Sequence, residues 1–187
     1  MFSRLPGKTQ QLLLDSAILE RVSPGVCDAL LGAGFDSAAI LDDLTQADLF
    51  IIPLGEAGSW FRYHHLFRDF LLTRLQQETP EQLPGLHRAA SLWLEQHRYL
   101  REAARHIFLT GDWSAAAEFV ERHSFTLILH SDIATVYEWC AAFPGDVLLA
   151  HPGLCLLSCW GLVFSYRHEN RPLVQTRLRQ ADAAIAA

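Results

Sequence analysis

The sequence WFRYHHLFRDFLLTRL, residues 60–75, passes from a short aromatic run into an amphipathic helix. A helix over about residues 66–77 is predicted because apolar side chains recur at helical spacing, at Phe67, Phe70, Leu71 and Leu75. Its outer side is predicted to carry Arg68, Asp69 and Gln76. Two adjacent histidines, His64 and His65, lie where the aromatic run gives way to the helix. Their position is compatible with a metal site, a catalytic pair, a phosphate contact or the start of a packed helix.

The residues before this stretch predict three short helices and a β-hairpin. Apolar residues at 12–19 give the first helix, Ser23-Pro24 starts a second that stops at Gly32, and Asp36 or Ser37 can cap a third. The sequence DLFIIPLGEAGSWFRYHH, residues 48–65, then places two β-prone runs around a glycine-containing turn. Three helices followed by a hairpin is the order of a winged-helix module, predicted here over residues 1–78.

The residues after it predict only helices. QETPEQLPGLH, residues 77–87, is polar and contains two prolines, so residues 79–85 are the predicted connector. Residues 86–187 are predicted to form helix–turn–helix superhelical repeats of the TPR-like type. The predicted helices are 86–97, 100–109, 113–122, 125–129, 133–142, 153–166 and 173–187. The fold class is therefore mainly α, and the apolar end of the last helix predicts a piece of a longer protein.

Composition excludes several classes of function. Hydrophobic residues make up 50% of the 187 residues, which is enough for packed cores, and the net charge is −6. Residues 1–61 hold three basic and eight acidic side chains, a charge of −5, so we expect no direct nucleic-acid binding. No apolar run is long enough to span a membrane and the N-terminus lacks a signal-peptide core, so a cytoplasmic protein is expected. The four cysteines form no CxxC pair and are expected to be buried thiols.

No catalytic or metal motif is present in the sequence. PGKTQQ, residues 6–11, resembles the end of a P-loop, but Phe2 stands where the motif needs its first glycine. The nine histidines show no H-E-x-x-H spacing, and no G-x-S-x-G elbow occurs. We therefore expect no metal site and no enzyme within these residues.

The order of these motifs resembles a known family. Three stretches are similar to the central part of the large MalT-like, LuxR-type regulators of the STAND class of signal-transduction ATPases. They are LLLDSAILERVSPGVCDALLG (residues 12–32), the R-Y-H-x-L-F segment (residues 62–67) and HPGLCLLSCWGL (residues 151–162). In that family a P-loop ATPase module precedes a winged helix that closes over the nucleotide. A superhelical sensor and a promoter-binding helix-turn-helix follow it. This chain resembles the winged helix and the start of the sensor.

The resemblance implies a role for one of the two histidines. Tyr63-His64-His65-Leu66 is similar to the Met-His-Asp-type motif of related winged helices, whose histidine contacts the β-phosphate of ADP. It makes His64 the candidate contact. Helical spacing relative to Phe67 and Leu71 predicts His64 on the inward side and His65 on the surface. A histidine that only packs at the junction is the structural alternative.

The expected function is that of a regulatory fragment of a MalT-like transcriptional activator. The fragment itself is expected to bind no cofactor, whereas the complete protein would use ATP and ADP. Its expected partners are a small-molecule or protein effector on the repeats and, in the complete protein, further copies of itself. A helical-repeat adaptor that needs no nucleotide is the alternative from another class, and a DNA-binding winged helix is disfavoured by the acidic residues 1–61.

Overall fold

The computed structural model describes residues 2–32, 34–47, 50–55, 59–164 and 171–185. These residues form two compact units, Met1–Tyr99 and Leu100–Ala187, and each is described by itself.

The first unit contains five α-helices and one β-hairpin among its described residues. In chain order they are α1 (Gly7–Ser16), α2 (Pro24–Leu31), α3 (Ser37–Gln46), β1 (Ile51–Leu54), β2 (Trp60–Tyr63), α4 (His65–Glu78) and α5 (Leu83–Gln96), with single 3-10 turns at Phe2–Arg4 and Pro80–Gln82. The predicted caps form: the side chain of Ser23 accepts a hydrogen bond from the Val26 N–H, and Asp36 accepts one from the Ala39 N–H. The predicted order of three helices and a hairpin is confirmed.

A third short segment pairs with β2 on the edge opposite β1. Strands β1 and β2 are antiparallel, with Ile51 opposite Tyr63 and Leu54 opposite Trp60. Phe61 of β2 also exchanges two backbone hydrogen bonds of 2.8 Å with Val22, which precedes α2. Strand β2 is therefore held on both edges.

The core of this unit lies among the helices. Leu12, Leu41 and Leu71 are completely buried on α1, α3 and α4, while α2 contributes Val26. Helix α1 packs on α2 and α4, α2 packs on α3, and α3 contacts β1. Helix α4 thus packs back on the three-helix core through Leu71 and Leu75, as predicted, whereas Phe70 of the predicted apolar side is 47% exposed.

Residues 79–85, predicted as the connector between domains, belong to the first unit and are mostly helical. A 3-10 turn covers Pro80–Gln82, and α5 already begins at Leu83, with Pro84 in its first turn. Proline is accepted there because the first helical N–H groups have no partner within the helix. Helix α5 packs on α2, and the division between the units falls after Tyr99.

The second unit is entirely helical in its described residues. It comprises α6 (Leu100–Leu109), α7 (Trp113–Leu129), α8 (Ile133–Ala141), α9 (Gly145–Ala150), α10 (Pro152–Phe164) and α11 (Arg171–Ile185). Helix α6 packs on α7, α7 on α8, α8 on α10 and α10 on α11. The predicted helical repeats are confirmed.

Two helix predictions in this unit are wrong in detail. The prediction divides residues 113–129 into two helices, but α7 is continuous, and the buried Ser124 donates its hydroxyl to the Val120 carbonyl at 2.5 Å. Because this bond satisfies the buried hydroxyl within the helix, α7 continues past the polar residue. The segment predicted as a loop at 143–152 contains α9.

Candidate functional site

The junction between β2 and α4 is the candidate site because it contains His64 and His65. The His64 backbone is extended (φ −56°, ψ 134°) and is the N-cap position of α4. Its N–H donates to the carbonyl of Phe50 at 2.8 Å. Its carbonyl accepts hydrogen bonds from the N–H groups of Phe67 at 3.0 Å and Arg68 at 2.9 Å. Hydrogen bonds on both sides therefore fix the backbone from which the imidazole projects.

Phe50, which accepts the hydrogen bond from His64, has a strained backbone. Its φ is +58°, a left-handed conformation that a bulky residue rarely adopts. Its ring stacks on Phe67 at a centroid distance of 4.8 Å and an interplanar angle of 24°. The stack and the hydrogen bond from His64 together compensate for the unfavourable backbone.

Both imidazoles of the junction are exposed to solvent. The rings of His64 and His65 lie side by side, with centroids 4.4 Å apart. The prediction that His64 points inward is therefore wrong, whereas the prediction that His65 is a surface residue is confirmed. Helical spacing does not apply to His64 because its backbone is not helical. Its assignment as a nucleotide contact stays a prediction.

Tyr63, the residue before His64, anchors the junction in the core. It is buried, and its hydroxyl lies 2.7 Å from the hydroxyl of Ser16, which itself donates to the Leu12 carbonyl at 2.5 Å. Since the proton of Ser16 is used in that bond, Tyr63 is the donor in the first. Burial raises the pKa of Tyr63, so the phenol stays protonated. Burial also raises the pKa of the neighbouring Cys27 thiol to about 12.

Arg68 connects the start of α4 to the segment that follows α1. Its Nε donates to the carbonyls of Ala17 at 3.0 Å and Leu19 at 2.9 Å, and its Nη2 lies 3.4 Å from the carbonyl of Ile18. These three carbonyls belong to successive residues after α1, and a guanidinium has enough N–H groups to donate to several of them. The prediction that Arg68 lies on the outer side is therefore wrong.

Sequence reasoning missed this role of Arg68, although one sign of it was available. Helix α1 ends at Ser16 and is followed by the apolar residues Ala17, Ile18 and Leu19, whose backbone carbonyls need a donor from elsewhere. A long basic side chain is such a partner, but spacing along α4 does not reveal how far the side chain reaches.

The groups at the junction suit an anion. Two imidazoles beside the positive end of a 14-residue helix favour a phosphate group. Within the part of the chain that the structure describes, no three histidine, cysteine or acidic side chains are grouped to hold a metal ion. The four cysteines are free and buried, as predicted. None of the described helices is both long and apolar enough to cross a bilayer.

The second unit contains an apolar groove between α10 and α11. Its volume is about 330 Å³, and it is lined by Cys159, Trp160, Val163, Val174 and Leu178. Half of the Trp160 surface is exposed. The groove can accept an apolar group, but the five side chains that line it offer no charge to orient a polar ligand.

Comparison with known proteins connects both units to one family. Residues 1–83 match the family described as the MalT winged helix domain. Over 183 residues, or 97% of the chain, the sequence is 31% identical to the HTH-type transcriptional regulator MalT of Cronobacter sakazakii (strain ATCC BAA-894). The chain spans 20% of the length of that relative. The chain therefore belongs to the MalT-like regulators and contains their winged helix domain followed by helical repeats.

Proposed function

We propose that this chain is the switch and sensor part of a MalT-like, LuxR-type transcriptional activator of the STAND class that acts in the cytoplasm. Its winged helix restrains an ATP/ADP switch, and its helical repeats bind a small-molecule or protein effector. Nucleotide hydrolysis and promoter binding belong to other parts of the complete protein. The chain itself is not an enzyme in this proposal and holds no cofactor on its own.

The observation that carries the proposal is the position of His64. Its imidazole is exposed at the N-terminus of α4, while its backbone is fixed by hydrogen bonds to Phe50 and from Arg68. A phosphate that approaches this end of α4 meets the helix dipole and an exposed imidazole carried on a fixed backbone. His64 is therefore suited to contact the diphosphate of ADP held by the ATPase module of the complete protein.

The proposed mechanism is a shift between two populations. ADP bound against the winged helix favours a closed state, and effector binding on the repeats favours an open, ATP-bound state that self-associates. A contact that exists only in the closed state biases this equilibrium by its own free energy. Loss of the His64 contact should therefore favour activation without effector.

The test replaces His64 by alanine in the complete regulator and measures ADP dissociation. A charge-assisted hydrogen bond contributes about 1.5–3 kcal/mol, so ADP should dissociate about ten- to a hundredfold faster. Effector-independent transcription should rise with it. His65→Ala is the matched control, because His65 is the neighbouring exposed imidazole.

Thermal stability separates a lost contact from a damaged fold. Because the His64 side chain is exposed, His64→Ala should leave the melting temperature of the 187-residue chain nearly unchanged. Unchanged ADP release in the His64 variant, or an equal effect in the His65 variant, would remove His64 from the nucleotide site.

The apolar groove between α10 and α11 favours one alternative, a helical-repeat adaptor that binds a peptide or protein without nucleotide. An adaptor of this kind would keep the same affinity for its partner in the presence of ATP, ADP or neither. The proposed regulator requires the affinity for its effector to differ between the ATP and ADP states.

A further inference from the structure

A cluster of aromatic side chains holds α5 against the hairpin of the first unit. We call Arg21, Trp60, Trp93, His97 and Tyr99 the aromatic clamp. The Trp60 ring meets Trp93 edge to face at 6.2 Å and Tyr99 at 5.2 Å. The Arg21 guanidinium lies 4.7 Å from the centre of Trp60 and 5.4 Å from that of Tyr99. The imidazole of His97 stacks on Trp93 at 3.7 Å.

The clamp fits closely because α2 has no side chain where Trp93 lies. A Cβ atom at Gly25 would be 2.9 Å from Cζ2 of Trp93, closer than real contacts allow. Gly85, on α5 itself, would meet nothing within 4 Å. The indole of Trp93 therefore occupies a place that the glycine of α2 leaves free.

The end of α5 turns Tyr99 back into the clamp. Arg98 has a left-handed φ of +66°, its N–H donates to the Glu95 carbonyl, and the Tyr99 N–H donates to the Leu94 carbonyl at 2.9 Å. These two bonds form the Schellman motif that commonly ends a helix. Tyr99 is the last residue of the first unit, and α6 begins at the next residue.

The clamp also touches the backbone that presents His64. Arg21 precedes Val22 and Trp60 precedes Phe61, and Val22 and Phe61 exchange the two 2.8 Å hydrogen bonds that hold the outer edge of β2. Strand β2 runs from Trp60 to Tyr63 and leads directly into His64. The four residues of β2 thus connect the clamp at one end with the candidate phosphate contact at the other.

We propose that the aromatic clamp couples the position of α5 to the position of His64. Helix α5 leads into the repeats, so a change there that displaces α5 withdraws Trp93 and Tyr99 from Trp60. Strand β2 then loses support on one side, and the backbone of His64 loosens. This regulation rests on the proposed function, since it acts on the same nucleotide contact.

The first experiment measures amide hydrogen exchange in the 187-residue chain with Trp93→Leu. An aromatic contact is worth up to about 1.5 kcal/mol, so the N–H groups of Phe61 and His64 should exchange about tenfold faster. Trp160→Leu is the matched control because it removes an exposed indole from α10. Faster exchange confined to α5, or the same increase with Trp160→Leu, would overturn the coupling.

A milder pair of variants protects the test against simple unfolding. Gly25→Ala presses on Trp93 without removing it, and Gly85→Ala makes the same change in open space. Exchange at Phe61 and His64 should accelerate with Gly25→Ala and not with Gly85→Ala. Equal exchange in these two variants would contradict the coupling.

ADP release from the complete regulator then separates the two proposals. If His64→Ala accelerates release and Trp93→Leu does not, the clamp has no regulatory role although His64 contacts the nucleotide. If His64→Ala has no effect, the proposed nucleotide contact fails, and the exchange result still decides whether α5 and His64 are coupled. Acceleration of release in both variants is the expected result.

Discussion

At the scale of single residues, Asp15 is a carboxylate in an unfavourable place. It lies next to the last residue of α1, where the helix dipole disfavours negative charge, and only 7% of its surface is exposed. Burial raises its pKa, and a hydrogen bond from Gln11 offsets this only in part. The folded chain therefore binds this proton more tightly than the unfolded chain does, so Asp15 costs stability as the pH rises through its pKa.

We predict that Asp15→Asn stabilises the chain near pH 7 by about 0.3–1 kcal/mol, the range of a helix-dipole interaction. The advantage should shrink as the pH falls, because the raised pKa lets the wild-type carboxyl become protonated above the ordinary range of an aspartate. Urea denaturation at several pH values measures it. Asp42→Asn, at an exposed position on α3, should show no comparable pH-dependent gain. A constant difference across the pH range would exclude the charge of Asp15 as the cause.

His64 and Arg68 show what spacing along a sequence can predict about a site. The position of the junction could be predicted, because the pattern of residues 60–75 changes from a strand-like aromatic run to helical spacing. The direction of the His64 side chain could not be predicted, because the His64 backbone is extended and helical spacing does not apply to it. The hydrogen bonds of Arg68 to the carbonyls that follow α1 depend on tertiary contact between residues about fifty positions apart. Such contacts are set by packing and not by local pattern.

At the scale of elements, α10 shows how closely two helices of the repeat unit approach. A Cβ atom at Gly161 would lie 2.5 Å from the Cβ of Tyr137 on α8. Because the Cβ of Tyr137 is fixed to the backbone, no rotation of its side chain relieves that contact. The two helices must separate if Gly161 gains a side chain.

We therefore predict that Gly161→Ala destabilises the second unit by about 1–3 kcal/mol, the usual cost of overpacking. Gly145→Ala, at the start of α9, meets nothing within 4 Å and should be neutral or stabilise by up to about 1 kcal/mol. Thermal denaturation of the two variants provides the comparison. Equal melting temperatures would show that α8 and α10 have room to move apart.

The elements themselves could largely be predicted from the sequence, because caps and periodicity are local. Ser23 and Asp36 marked the starts of α2 and α3, and α6 begins and ends at the predicted residues. The extent of α7 and the presence of α9 could not be predicted. In α7 the buried Ser124 bonds to its own helix, and α9 follows Pro144 as a six-residue helix, too short for a periodic pattern.

At the scale of the whole molecule, the chain divides into two compact units, and α5 belongs to the first of them. Two prolines suggested a connector at residues 79–85, but Pro84 lies in the first turn of α5. Helix α5 packs on α2, and its Trp93 meets Trp60 of β2, so these contacts join residues more than thirty positions apart. Local composition cannot predict a division of the chain that depends on such contacts.

The distribution of charge over the molecule leads to the last prediction, that this chain does not retard duplex DNA in a gel at about 150 mM salt. Binding to duplex DNA depends on the release of counterions by basic side chains. The chain has 15 basic and 21 acidic residues, and residues 1–61 carry −5. Weak retardation at low salt that disappears at 150 mM would be non-specific attraction. Sequence-specific retardation at 150 mM salt would show instead that the winged helix reads DNA, and the nucleotide-switch role of this domain would have to be abandoned.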